Sequence, residues 1–382
     1  MPDASITQSI LKKLKLSKNV LISGPPGTGK SLLLSEIANS FLSGSQANQS
    51  GGGPPPHKPG AAVPIPAQPT VTQNPNVPAV SKTDRKVFRT VFHQNTRYRD
   101  MLNGLAPTVD ATTDKDFKIT SGILYRASEH AKKANGASLV IIDEINRGPA
   151  VQAFGGSIVA IEADKRLGPD GTHTHKTQTF EIIDPANGIM VEYALPDDLY
   201  ILAAMNQADA SVEPMDVAFL RRWDAVKLEP SETVLRKFFG LEAKVEELPA
   251  EAEKAADIYE AIVQAWISIN DRIALGRGRE YQIGHGVLMG TPIDTGDSVE
   301  AAIEKLSSGW SKVMAHVEEV FFGDLRGFAT ALNTDNPNLA HPIQIKEARF
   351  GGDLRLQVIW PESMNEAIFY KILRSTVKHS EE

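Results

Sequence analysis

The sequence predicts an α/β fold, a parallel sheet flanked by helices, followed by a smaller C-terminal α-helical domain. Three observations carry this. The apolar run Val20-Leu21-Ile22 leads into Gly24-Pro25-Pro26-Gly27-Thr28-Gly29-Lys30-Ser31 and then Leu32-Leu33-Leu34, so a strand feeds a glycine-rich turn that opens a helix. Leu139-Val140-Ile141-Ile142 and Leu199-Tyr200-Ile201-Leu202-Ala203-Ala204 are continuous apolar runs, as expected of parallel strands buried on both faces. Beyond Pro230 the chain becomes rich in Glu, Ala and Lys at helical spacing.

In chain order, Ile6 to Leu16 repeats Ile and Leu between lysines, which suits a short amphipathic helix ahead of the first strand. The helix after Lys30 should end near Phe41-Leu42. From 43 to 82 the composition shifts to Gly, Pro, Gln and Asn with few large apolar residues, and such a segment cannot repay its ordering entropy by burial. We therefore expect a disordered insertion at 43–82 that divides one α/β core into 1–42 and 83–230, with the helical domain at 231–382. Val87 to Phe92 alternates as a strand, and Ile123 begins a helix that Asn135-Gly136 closes. Val151 to Glu162 reads as a helix, Phe180–Ile183 with Met190–Tyr193 as a hairpin, and the segment Asp216 to Trp223 places two arginines after a short helix.

The chemistry sits at the strand ends, where ligands bind in open α/β sheets. In the loop Gly24, Pro25, Pro26, Gly27, Thr28 and Gly29, the glycines let successive N–H groups curl round phosphate and the helix N-terminus adds partial positive charge. Lys30 then neutralises phosphate and Ser31 holds Mg²⁺. Asp143 and Glu144 end the apolar run Leu139–Ile142, one placed to hold Mg²⁺ and the other to polarise an attacking water. Asn206 closes the next strand, where a neutral amide can orient that water. Arg221 and Arg222 stand together, and one of them is suited to reach a neighbouring subunit's phosphate. Spacing does not decide which.

With 382 residues, 41% hydrophobic and 23% charged, the chain reads as an ordinary globular protein that lacks a run long enough to cross a membrane, and the cytoplasm is the expected compartment. Zero cysteines exclude disulfides, thiolate metal sites and cysteine nucleophiles. A formal charge of −7 gives no general attraction to nucleic acid, so DNA contact must come from a local basic patch or from a partner.

Taken together, the loop at Gly24–Ser31, Ile141-Ile142-Asp143-Glu144, Asn206 and Arg221-Arg222 resemble the AAA+ ATPases of the dynein-related and MoxR branch. Further segments are similar to the McrB family of restriction motors: Phe92-His93-Gln94, Gly122-Ile123-Leu124-Tyr125-Arg126, Glu144-Ile145-Asn146-Arg147-Gly148, Met205-Asn206-Gln207-Ala208-Asp209 and Tyr281-Gln282-Ile283-Gly284-His285. The resemblance spans the chain apart from the insertion and roughly the last fifty residues. It implies a hexameric, ring-forming ATPase with Mg²⁺, nucleotide between subunits, stimulation by an McrC-like nuclease, and DNA engaged through that partner. It also implies Asp143 and Glu144 as the Walker B pair, Asn206 as the first sensor, and Arg147 with Arg221 or Arg222 facing the next subunit. Gln207 stands where the McrB signature has Thr, and Leu220 where a further arginine is frequent, which favours ATP over the GTP of McrB. The chain begins almost at the phosphate loop, so a preceding DNA-reading domain is not expected. A MoxR-like chaperone and a nucleotide-gated scaffold remain the alternatives.

Weaker signals are His173 and His175, read as loop residues rather than a metal pair, and His285, read as structural. Arg277 or Arg279 is a candidate second phosphate sensor.

Overall fold

The computed structural model describes residues 4–44, 74–108, 117–208, 215–242, 244–290 and 296–377. Its strands in chain order are β1 (Asn19–Gly24), β2 (Asp84–Val91), β3 (Asn103–Pro107), β4 (Phe117–Ser121), β5 (Gly136–Asp143), β6 (Phe180–Ile183), β7 (Met190–Tyr193), β8 (Leu199–Asn206), β9 (Asp224–Lys227), β10 (Gln344–Phe350) and β11 (Asp353–Ile359). Five form one parallel sheet in the order β2-β5-β8-β1-β9. The others pair as three antiparallel hairpins, β3–β4, β6–β7 and β10–β11.

The apolar runs form the three central strands because helices cover both sides of the sheet. Val20, Ile22, Leu139, Ile141 and Leu202 face a core shared with the Ala4–Ser17 and Lys30–Ser43 helices. Leu21, Val140, Ile142, Ile201 and Ala203 face the opposite core, built on Phe154, Phe219 and Trp223. The edge strands β2 and β9 alternate in exposure instead, having one open side. Beyond the sheet, the Ala255–Gly276, Val299–Val320 and Glu366–Thr376 helices close round Trp266, Ile262 and Leu373.

Four expectations change. Both ends of the expected 43–82 insertion are structured: the second helix runs through Ser43, and residues 74–82 pack on the core. Val77 is fully buried, and the Arg85 guanidinium donates to Pro78 O at 2.6 Å and to Ala79 O. Residues 45–73, the rest of that expectation, lie outside the described residues. The single helix expected over Val151 to Glu162 is broken into Ala150–Phe154 and Ser157–Ala160. Gly155 breaks it at φ +49°, where a Cβ would stand 2.6 Å from the Tyr98 ring. The β3–β4 hairpin lies between the expected Val87 to Phe92 strand and the helix beginning at Ile123, where the sequence pattern predicts no element. Finally, the C-terminal domain is not wholly helical, since β10–β11 projects from it.

Candidate functional site

The register Gly24↔Asn206 sets the start of the glycine-rich loop beside the end of β8, and β5 ends at Asp143 on β8's other flank. Three strand ends therefore converge on one edge. Gly27 and Gly29 take φ +78° and +84°, values that side chains with a Cβ rarely adopt, and they turn the loop into the helix. That helix has no side-chain cap, so its first-turn N–H groups remain available to an anion. Lys30 is buried and donates from Nζ to Gly24 O at 2.8 Å and Pro25 O at 2.9 Å. Burial pushes its ammonium down to about 8, against the pull of Glu144 and Asp143.

Across the edge, Ser31 Oγ stands 3.5 Å from Asp143 Oδ2, a hydroxyl and a carboxylate of the kind that together hold Mg²⁺. Glu144 is a non-glycine residue at φ +52°, held by its N–H donating to Asp143 Oδ1 at 3.0 Å and its carbonyl accepting from Arg147 N at 2.9 Å. Its Oε1 accepts from Asn206 Nδ2 at 2.7 Å, and Arg147 Nε lies 3.3 Å from Oε2. Asn146, to which no separate role was assigned from sequence, donates from Nδ2 to Asn206 O at 2.6 Å and ties β8 to the turn after β5. A donor two residues past an acidic strand end was the signal available for it.

The arginines separate. Arg222 is folded inward, its Nε 3.1 Å from Glu162 Oε1 and its guanidinium donating to Ala218 O. Arg221 is exposed, with no ion pair or hydrogen bond from its side chain among the described residues. Arg147, expected to face another subunit, pairs with Glu144 of its own chain. Asp209 lies outside the described residues.

The C-terminal domain grips the loop directly. Gly284 N donates to Pro26 O at 2.9 Å and Gly286 N to Gly27 O at 2.8 Å. A Cβ on Gly284 would overlap Gly27 C and Thr28 N, so the close approach requires glycine there. Between them His285 accepts at Nδ1 from Ser231 N at 3.1 Å, and burial holds its imidazole below the ordinary range. A cleft of about 880 Å³ opens beside this contact, lined by Pro26, Arg147, Asn206, Arg277, Tyr281 and His316 among others. Arg277 reaches its rim, held 3.0 Å from Asp324 Oδ2, whereas Arg279 stands 3.8 Å from Glu229. His173 and His175 lie exposed in the loop ahead of β6. No described helix is long and apolar enough to cross a membrane.

Residues 79–223 match the family model described as AAA domain (dynein-related subfamily), a span containing Asp143, Glu144, Asn206, Arg221 and Arg222. The Type IV methyl-directed restriction enzyme EcoKMcrB subunit of Escherichia coli (strain K12) is 27% identical over 307 residues, covering 77% of this chain and 53% of that protein. The Type II restriction enzyme BsuMI component YdiS of Bacillus subtilis (strain 168) is 30% identical over 141 residues, 36% of this chain and 38% of that one. The chain thus spans about half the length of the first relative. Among solved structures, C. elegans PCH-2 aligns with a TM-score of 0.32 and 13% identity over 81% of this chain and 68% of that one.

Proposed function

We propose that this chain, whose residues 79–223 match the AAA domain (dynein-related subfamily) and which is related to an McrB restriction subunit, is an AAA+ ATPase that hydrolyses a nucleoside triphosphate, ATP in preference to GTP. In this reading it is the ring-forming motor of an McrB-like DNA restriction complex, with a nuclease subunit as partner. The observation that carries the hydrolytic part is the pairing of Glu144 Oε1 with Asn206 Nδ2 at 2.7 Å, next to a Ser31 and Asp143 pair 3.5 Å apart. Binding alone would need no base beside the metal ligands.

The chain's own residues divide the work. The Gly27 to Ser31 amides and Lys30 would hold the phosphates, and Ser31 and Asp143 would hold magnesium, which would supply charge neutralisation when bound. Asn206 fixes the Glu144 carboxylate so that it accepts a proton from water in one orientation. Arg221, exposed on its own chain, is the guanidinium offered to a neighbouring subunit, and Arg222 braces its short helix against Glu162.

The test is steady-state hydrolysis of ATP and GTP by wild type and Glu144→Gln, with oligomer size followed in the same samples. We expect the variant to keep nucleotide binding and assembly while turnover falls at least a hundredfold. Equal turnover in both proteins would refute Glu144 as the base, and absence of turnover in both, with nucleotide bound, would favour the scaffold.

A further inference from the structure

The β10–β11 hairpin is a two-stranded sheet of its own, seven residues to a strand, joined through Gly351 and Gly352 with both outer edges unpaired. Its register pairs Ile345 with Val358, Lys346 with Gln357, Ala348 with Arg355 and Phe350 with Asp353. Ile345 and Val358 pack on the C-terminal core, so strand alternation turns Lys346, Gln357, Arg355 and Phe350 to the opposite, outward face. Among the described residues, Lys346, Arg349 and Arg355 take part in no ion pair, although the chain carries 47 acidic residues against 40 Lys and Arg. The Arg355 guanidinium lies 5.1 Å from the centre of the Phe350 ring. At the tip Phe350 and Leu354 are 70% and 66% exposed. The hairpin's acids are both exposed: Glu347, which alternation places on the Ile345 side, and Asp353, which sits opposite Phe350 on the outward face and leaves Lys346 and Arg355 as that face's two cations.

We propose that this hairpin is a contact for duplex DNA made by the chain itself. A two-stranded ribbon fits a DNA groove, and Lys, Arg and Gln in one outward row are donors suited to phosphates and base edges. The exposed aromatic at the tip, flanked by a guanidinium, has the character of a wedge against a base step, a role that charge pairing with an acidic protein surface would not use. The choice of DNA over other polyanions rests on the restriction reading.

The experiment is fluorescence anisotropy of a labelled 30-base-pair duplex with the full chain and a non-hydrolysable ATP analogue, from 50 to 200 mM KCl. It compares wild type, Lys346→Glu/Arg355→Glu and Phe350→Ala, with basal hydrolysis and melting temperature measured on each preparation. Two phosphate contacts, from Lys346 and Arg355, predict that wild-type affinity falls roughly 12-fold across that range. The charge reversal should weaken binding at least tenfold at 50 mM and flatten the salt dependence by about two charges. Phe350→Ala should weaken it by about fivefold or more. Hydrolysis and melting should not change. Binding that is absent in wild type, or equal in the charge-reversed protein, overturns the proposal. If hydrolysis is normal in that case, only the DNA contact has failed. Hairpin-dependent capture of poly-glutamate without binding of the duplex would make it a protein-docking arm and also overturn the proposal.

Discussion

At Glu144 the backbone stands at φ +52°, a left-handed conformation that costs a residue with a Cβ about 1–2 kcal/mol. Such an outlier persists only when its surroundings hold it, and here Asp143, Arg147 and Asn206 do so together. Asn146 belongs to the same device through its bond to Asn206 O. Asn146→Ala should therefore lower kcat about tenfold and leave triphosphate affinity within about threefold, because a lost hydrogen bond of about 1.5 kcal/mol falls on the orientation of Asn206. Binding titration beside turnover checks the split, and affinity falling in step with kcat would contradict a positioning role. The Asp143, Glu144 and Asn206 positions were legible because each ends a buried strand. The division between Arg221 and Arg222 was not, since adjacent residues just past a short helix differ only in which acid, here Glu162, comes within reach after folding.

Among the elements, the glycine-rich loop was legible from local pattern alone, while its partner was not. The Gly284 to Gly286 segment lies more than 250 residues away and engages the loop through backbone groups, which leave no side-chain signature. Gly284→Ala should force Gly27 and Thr28 to shift, since its own φ of −66° tolerates alanine and only the close approach does not. We expect about 1–3 kcal/mol of destabilisation and about tenfold weaker triphosphate binding. Gly290→Ala, where a Cβ meets nothing within 4 Å, serves as the control. Equal behaviour of the two variants in melting and nucleotide titration would argue against the coupling. The β3–β4 and β10–β11 hairpins escaped sequence reading for a related reason: they have little buried face, so hydrophobic alternation is weak in them. The break at Gly155 was hidden because its cause is the Tyr98 ring, brought in by another part of the chain.

For the whole molecule, the parallel sheet followed from its three buried strands, which read as apolar runs because both faces are covered. The order β2-β5-β8-β1-β9 then brings Gly24, Asp143 and Asn206 to one edge, and the C-terminal domain closes over that edge on Pro26 and Gly27. Arg221 is exposed on the same chain. The central claim is a hydrolytic site built on one chain and completed by the next, with Glu144 acting within its own subunit and Arg221 acting across the interface. Mixing tests this most directly: Glu144→Gln and Arg221→Ala proteins, each expected to be nearly inactive, are combined in equal amounts and ATP turnover is measured. The account predicts that the mixture hydrolyses well above the sum of its components, because an Arg221→Ala subunit keeps Glu144 and receives an arginine from its neighbour. A mixture no more active than that sum, with mixed oligomers present, would contradict it.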